Sequence, residues 1–277
     1  MFANATPITA TIGVEITELP GSHLVDDRGA ARCQAALDQY GVVVFREAHI
    51  GDDDLVALSR LLGDVVVAQV GGQDEHPEIS AISLDPAKTV LASLNQGTFH
   101  WHIDGATDAV PQKATLLTAL EVSDEGGDTE FANTYASYEA LADEEKAEIA
   151  DLRVVHSFAA AQRLANPEPS DKQRAAWDRV PTREHPLVWT RSNGRKSLLL
   201  GATASHVVGW PEDKGRALLD RLLGWSTQPR FALRHHWRRG DLVLWDNTGM
   251  LHRAVPYAPT SARLLHRTTL IGEEAVA

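Results

Sequence analysis

Short apolar runs bounded by Gly, Asp, Asn and Pro recur along the whole chain, and a few longer segments with helical spacing separate them. The runs VVVF (42–45), VVVAQV (65–70), ISAISL (79–84), KATLLTALEV (113–122), TEFAN (129–133) and RVVHSF (153–158) predict strands. So do FALRHHW, GDLVLWDN and RLLHRTTLIG near the end, and a short strand region is expected over 5–18. HPLVWT (185–190) and KSLLLG (196–201) flank the turn RSNGR as a hairpin. Helical spacing marks DDRGAARCQAALDQYG, stopped by Gly41, and DDDLVALSRLLG, with an acidic start at Asp52–Asp54 and Gly63 just past its end. It continues in TYASYEALADEEKAEIADL (134–152), with a break near Ala142, and in EDKGRALLDRLLGW (212–225). Residues 159–184 lack apolar periodicity and are expected to form an irregular insert that serves as a lid or binding loop. Many short strands with helices outside them predict an α+β fold built on a β-sandwich or barrel. No linker divides them, so residues 1–277 are expected to form one domain.

Composition narrows the partners. The net charge of −12 argues against nucleic acid or an anionic membrane, since both need a basic footprint. No apolar stretch approaches the ~18 residues of a membrane span, and the first residues lack the basic-then-apolar pattern of a signal peptide. A cytoplasmic protein acting on a small molecule is the expectation. The single cysteine, Cys33, sits on a helical face and reads as a small buried residue.

The chemistry concentrates in GTFHWHIDGAT, from Gly97 to Thr107. In extended backbone, His100, His102 and Asp104 would share one face. Two imidazoles and one carboxylate hold one face of an Fe(II) ion and leave the others open. The partner imidazole is expected from His252 in GDLVLWDNTGMLHRAVPY, at a strand mouth after a Gly-containing turn, with His100 as the nearer alternative. An H-x-D match is weak alone: a similar H-x-E, His76–Glu78, reads as a surface loop. In ARLLHRTTLIG, period-2 alternation puts Arg263, Leu265, Arg267 and Thr269 on one face, with the two arginines about 13 Å apart. Buried arginines there would need an anion such as a dicarboxylate. The alternative is two solvent-facing arginines on an edge strand.

YGVVVFRE, RLLGD, FHWHIDGAT, EGGDTEFANTYASYEAL, HPLVWT with GRKSLLLG, GDLVLWDNTGMLHRA and ARLLHRTTLIGE follow one another in an order and spacing that covers most of the chain. In these the sequence resembles the Fe(II)/2-oxoglutarate dioxygenases of the taurine dioxygenase and 2,4-D (phenoxyacetate) dioxygenase group. The resemblance implies a double-stranded β-helix (jelly-roll) core with flanking helices. It implies Fe(2+), 2-oxoglutarate and O2, with hydroxylation of a small anionic organic substrate and release of succinate and CO2. His102, Asp104 and His252 match the iron triad. Thr129 matches a threonine that binds the distal carboxylate of 2-oxoglutarate, and Arg263 the arginine that pairs with it. Arg267 matches an arginine near the iron on the substrate or co-substrate side. His100 becomes a pocket residue, while Trp101, Trp245 and Asn247 are expected to hold the scaffold. The resemblance also allows a homo-oligomer. One departure concerns substrate: taurine-type members carry a histidine shortly after the LLG segment, and here none precedes His76. A zinc-dependent hydrolase or lyase and a metal-free binding protein on a similar barrel are the alternatives.

Overall fold

The structure is a computed structural model and describes residues 2–276. Two short strands, β1 (Ala5–Pro7) and β2 (Val14–Ile16), precede α1 (Asp27–Tyr40). The Asp26 side chain caps α1 by accepting from the Gly29 amide, and Gly41 ends it at φ +72°, a backbone region that favours glycine. β3 (Val42–Phe45) follows at once, and α2 (Asp52–Leu62) begins on three aspartates that complement its dipole. Next come β4 (Ser80–Ile82), α3 (Ala92–Asn95), β5 (Ala114–Glu121) and β6 (Thr129–Asn133). The long helical segment is broken at Ala140–Ala142 into α4 (Thr134–Glu139) and α5 (Asp143–Ile149). β7 (Arg153–His156), α6 (Phe158–Ala165), α7 (Asp171–Trp177) and β8 (Arg183–Pro186) follow. Then come the hairpin β9 (Val188–Thr190) and β10 (Lys196–Leu198), β11 (Ala204–Val207) and α8 (Glu212–Ser226). β12 (Ala232–His235), β13 (Leu242–Asp246), β14 (Met250–Ala254) and β15 (Leu264–Thr269) close the chain.

Seven strands form one sheet in the order β1-β2-β3-β13-β5-β15-β4, and β12-β6-β14 form a second of three. Alternation sorts their side chains into layers. Val43, Phe45, Leu116, Leu242 and Leu244 face α1 and α2. Val42, Val44, Leu117, Val243, Trp245 and Leu265 face the other way and pack against Phe131, Leu233 and Met250 of the smaller sheet. The far side of that sheet, through Ala132 and Leu251, packs on α8 and the β9–β10 hairpin. The α+β expectation is met. Among the described residues no helix is long and apolar enough to cross a membrane.

Several expectations need correction. Residues 65–70 are not a strand. Only Val65 bridges to Leu270, because β4 occupies the edge of β15 that this segment would need. The segment 159–184 is not irregular: it holds α6 and α7, each started by a serine side chain accepting a backbone amide three residues on. His76 lies in a loop as expected, but Glu78 is buried and bonded to Arg60. Cys33 is fully buried, and burial pushes its thiol up to about 12.

Candidate active site

Strand alternation delivers a set of polar residues to one end of the layer between the two sheets. His252 is the central residue of β14, not the mouth residue the sequence suggested, and lies opposite Phe131 of β6. Its ring centroid is 4.8 Å from that of Trp245 and stacks 6.3 Å from Phe131. His102 belongs to no regular strand, yet its main chain pairs with that of His252. The His102 amide donates to the His252 carbonyl at 3.0 Å and the reverse bond measures 2.9 Å. This reciprocal pair sets the two imidazole centroids 4.1 Å apart.

Asp104 completes the group. Its Oδ1 is 3.8 Å from His102 Nε2 and its Oδ2 is 3.6 Å from His252 Nε2. One donor atom from each of the three lies within 4.8 Å of the others, close enough to share one ion. The His100 side chain is not part of this group. Its carbonyl instead accepts from His102 Nδ1 at 2.8 Å, which leaves the Nε2 lone pair free to ligate. Burial, with His102 nearby, brings His252 down to about 3, so its ring is neutral at ordinary pH. Burial would raise Asp104. His252, Arg267, His102 and the Thr115 hydroxyl outweigh it and hold the carboxyl at about 2. A neutral imidazole beside an ionised carboxylate is the donor state that a divalent ion requires.

The two arginines are not on a solvent face. Arg263, immediately before β15, is 2 % exposed. Its Nε donates to the Gly127 carbonyl at 3.0 Å, and its Nη1 donates to the Tyr257 hydroxyl at 3.3 Å. Among the described residues no carboxylate pairs with it. Asp128, the acid acting on it from nearby, is already held by Arg234 and His236. A buried guanidinium without a counter-ion is expensive. Gly127, at φ +75°, makes room: a Cβ there would lie 2.9 Å from Arg263 Cδ. Two residues further on, Thr129 is buried, and its Oγ1 accepts from Trp237 Nε1 at 3.0 Å. Indole only donates, so the hydroxyl proton of Thr129 remains available to another acceptor.

Arg267 shares the inward face of β15 with Leu265, while His266 and Thr268 face α2 through Asp52 and Ser59. A register shift at Leu264/Leu265 interrupts the strict alternation expected from Arg263 onward. The Arg267 Nη1 is 4.0 Å from Asp104 Oδ1, and its buried Nε has no hydrogen-bond partner among the described residues. Sequence reasoning missed Thr115, Trp237 and Tyr257, and assigned Asn247 to the scaffold. Thr115 lies between Ala114 and Leu116 at the start of β5, where a lone hydroxyl marks nothing by itself.

The family model described as "Taurine catabolism dioxygenase TauD, TfdA family" matches residues 4–269. The chain is 37% identical to the alpha-ketoglutarate-dependent 2,4-dichlorophenoxyacetate dioxygenase of Burkholderia sp. (strain RASC), over 85% of this chain and 83% of that protein. It is 30% identical to the alpha-ketoglutarate-dependent sulfate ester dioxygenase of Pseudomonas putida, over 98% of this chain and 90% of that one. Among solved structures, AAD-2 in complex with Mn(II) and N-oxalylglycine superposes with a TM-score of 0.82 at 29% identity, covering 99% of both chains.

Proposed function

The chain belongs to the taurine catabolism dioxygenase TauD, TfdA family, and from that premise we propose how its residues divide the work of an Fe(II)- and 2-oxoglutarate-dependent oxygenase. His102, Asp104 and His252 would hold the iron. When bound, iron with 2-oxoglutarate and O2 supplies the hydroxylation of a substrate carbon, with release of succinate and CO2. Arg263 and Thr129 seat the distal carboxylate of 2-oxoglutarate. The guanidinium supplies a desolvated charge and the hydroxyl a directed donor. Arg267, whose Nη1 lies 4.0 Å from Asp104 Oδ1, orients an anionic group on the substrate side.

The finer architecture follows the same reading. The seven-stranded and three-stranded sheets form a double-stranded β-helix core within one domain spanning the chain, and the site lies at its mouth. α6 and α7, with the loop after β4, form the lid. Gln162 of α6 meets Gly97 just ahead of the ligand segment. The substrate is a small organic anion of the aryloxyalkanoate or sulfate-ester kind, the classes acted on by the relatives. Taurine is disfavoured, since the first histidine after α2, His76, pairs with the exposed Asp53.

The convergence of His102, Asp104 and His252 within 4.8 Å carries this reading. Anaerobic addition of Fe(II) and 2-oxoglutarate should produce a weak visible charge-transfer band, lost in His102→Ala and His252→Ala. A chain that gave no band and instead hydrolysed ester substrates with zinc would overturn it.

A further inference from the structure

Behind the three ligand side chains lies a fully buried polar chain that the reading above leaves unused. Asn247 Nδ2 is 2.8 Å from Thr115 Oγ1, and Thr115 Oγ1 is 2.9 Å from Asp104 Oδ2. Thr115 and Asn247 are both 0 % exposed. The direction of the chain is fixed by valence. An ionised Asp104 can only accept, so the Thr115 hydroxyl donates to it. That hydroxyl has one proton, so it must accept from Asn247, which makes the amide nitrogen the inner atom. The amide oxygen of Asn247 then points into the protein, without a partner among the described residues.

We propose that Thr115 and Asn247 are positioning residues for Asp104, forming a one-way relay that fixes the rotation of its carboxylate. The proposal rests on the reading of Asp104 as a metal ligand. Thr115 reaches this place because β5 lies between β13 and β15, with Thr115 opposite Trp245 on one side and Thr269 on the other. Asn247 follows β13 directly, and its amide donates to the Lys113 carbonyl at 3.0 Å. The relay is therefore held by two adjacent strands of the large sheet, whereas His252 comes from the small one. With one carboxylate oxygen engaged by Thr115, Asp104 would offer the other to a metal ion, and a carboxylate freed of that bond could rotate.

The test uses the full chain with Co(II) alone as probe, without 2-oxoglutarate and without turnover, reading affinity and the visible d–d bands. Thr115→Val keeps the shape and removes the hydroxyl; Thr115→Ser does the reverse. The relay predicts that Thr115→Val weakens Co(II) binding about 10- to 100-fold and alters the bands, while Thr115→Ser stays within about threefold of wild type. Asn247→Ala should weaken binding by itself and add less than about twofold in the Thr115→Val background, since no hydroxyl remains to orient. A packing role predicts the opposite order, with Thr115→Ser the weaker binder. That order, or additive losses in the double variant, would overturn the relay. Should Thr115→Val fail to fold, Asn247→Ala decides alone: wild-type affinity overturns the relay and weakened affinity supports it. A wild-type chain that took up no Co(II) would overturn the metal-site reading and the relay together. A wild-type chain that bound it, with Thr115→Val equally tight, would overturn only the relay.

Discussion

Replacing Arg263 by methionine separates two quantities that most substitutions at a binding site confound. Arg263 is 2 % exposed and has no carboxylate partner among the described residues, so the fold bears its desolvation. Burial already pushes its pKa down, partly offset by Tyr257 and Asp128. A carboxylate arriving there meets a charge that need not shed water, held by bonds of 3.0 and 3.3 Å to Gly127 and Tyr257. Truncating one member of such a buried charge pair costs about 2–5 kcal/mol, or roughly 30- to several-thousand-fold in affinity for 2-oxoglutarate. The ligand-free protein should respond in the other direction. An unpaired buried cation replaced by an apolar side chain of similar length leaves stability unchanged or raised. Anaerobic calorimetric titration of the Fe(II)-loaded variant with 2-oxoglutarate, paired with a thermal melt without ligand, reads both effects. Wild-type affinity for 2-oxoglutarate in Arg263→Met would refute the co-substrate role of the arginine.

Other expectations are smaller but distinct. Trp237→Phe removes the donor to Thr129 Oγ1 and frees that hydroxyl to turn, so 2-oxoglutarate affinity should fall about 2- to 10-fold with iron binding untouched; an unchanged dissociation constant would detach Trp237 from the site. Burial holds His156 down at about 3, below its ordinary value near 6.5. The folded-state pKa is therefore depressed for a basic group: its stabilising contribution is whole above pH 6.5 and is lost as the pH falls, because the unfolded chain takes up the proton first. At pH 5 this amounts to about 2 kcal/mol, and denaturant melts of His156→Gln should show an acid slope shallower by that amount. Equal slopes in variant and wild type would show that His156 is protonated in the folded protein.

The parts of this fold legible in the sequence are those where one rule acted alone. β3, β5 and β13 each alternate between two different apolar layers, so their runs could be read as strands before either layer was known. α1 and α2 carried their own start and stop signals at Asp26, Gly41 and Gly63. Residues 65–70 had the composition of a strand but lacked a free edge, and edges are a property of the assembled sheet. α6 and α7 are short, and their serine caps were present in the sequence but were not read as start signals. At the site, the spacing of His102 and Asp104 suggested a shared face, while the partner imidazole lies far along the chain: the residues alone left His252 and His100 open, and the family resemblance chose between them. Thr115 was illegible because threonine is common in strands, and its role depends on which oxygen lies 2.9 Å away.

The two main-chain hydrogen bonds joining His102 to His252 involve no side-chain atom. Replacing either imidazole therefore strips away a donor atom and leaves the tie between these two distant segments in place, so the polypeptide there should keep its course when its coordinating chemistry is gone.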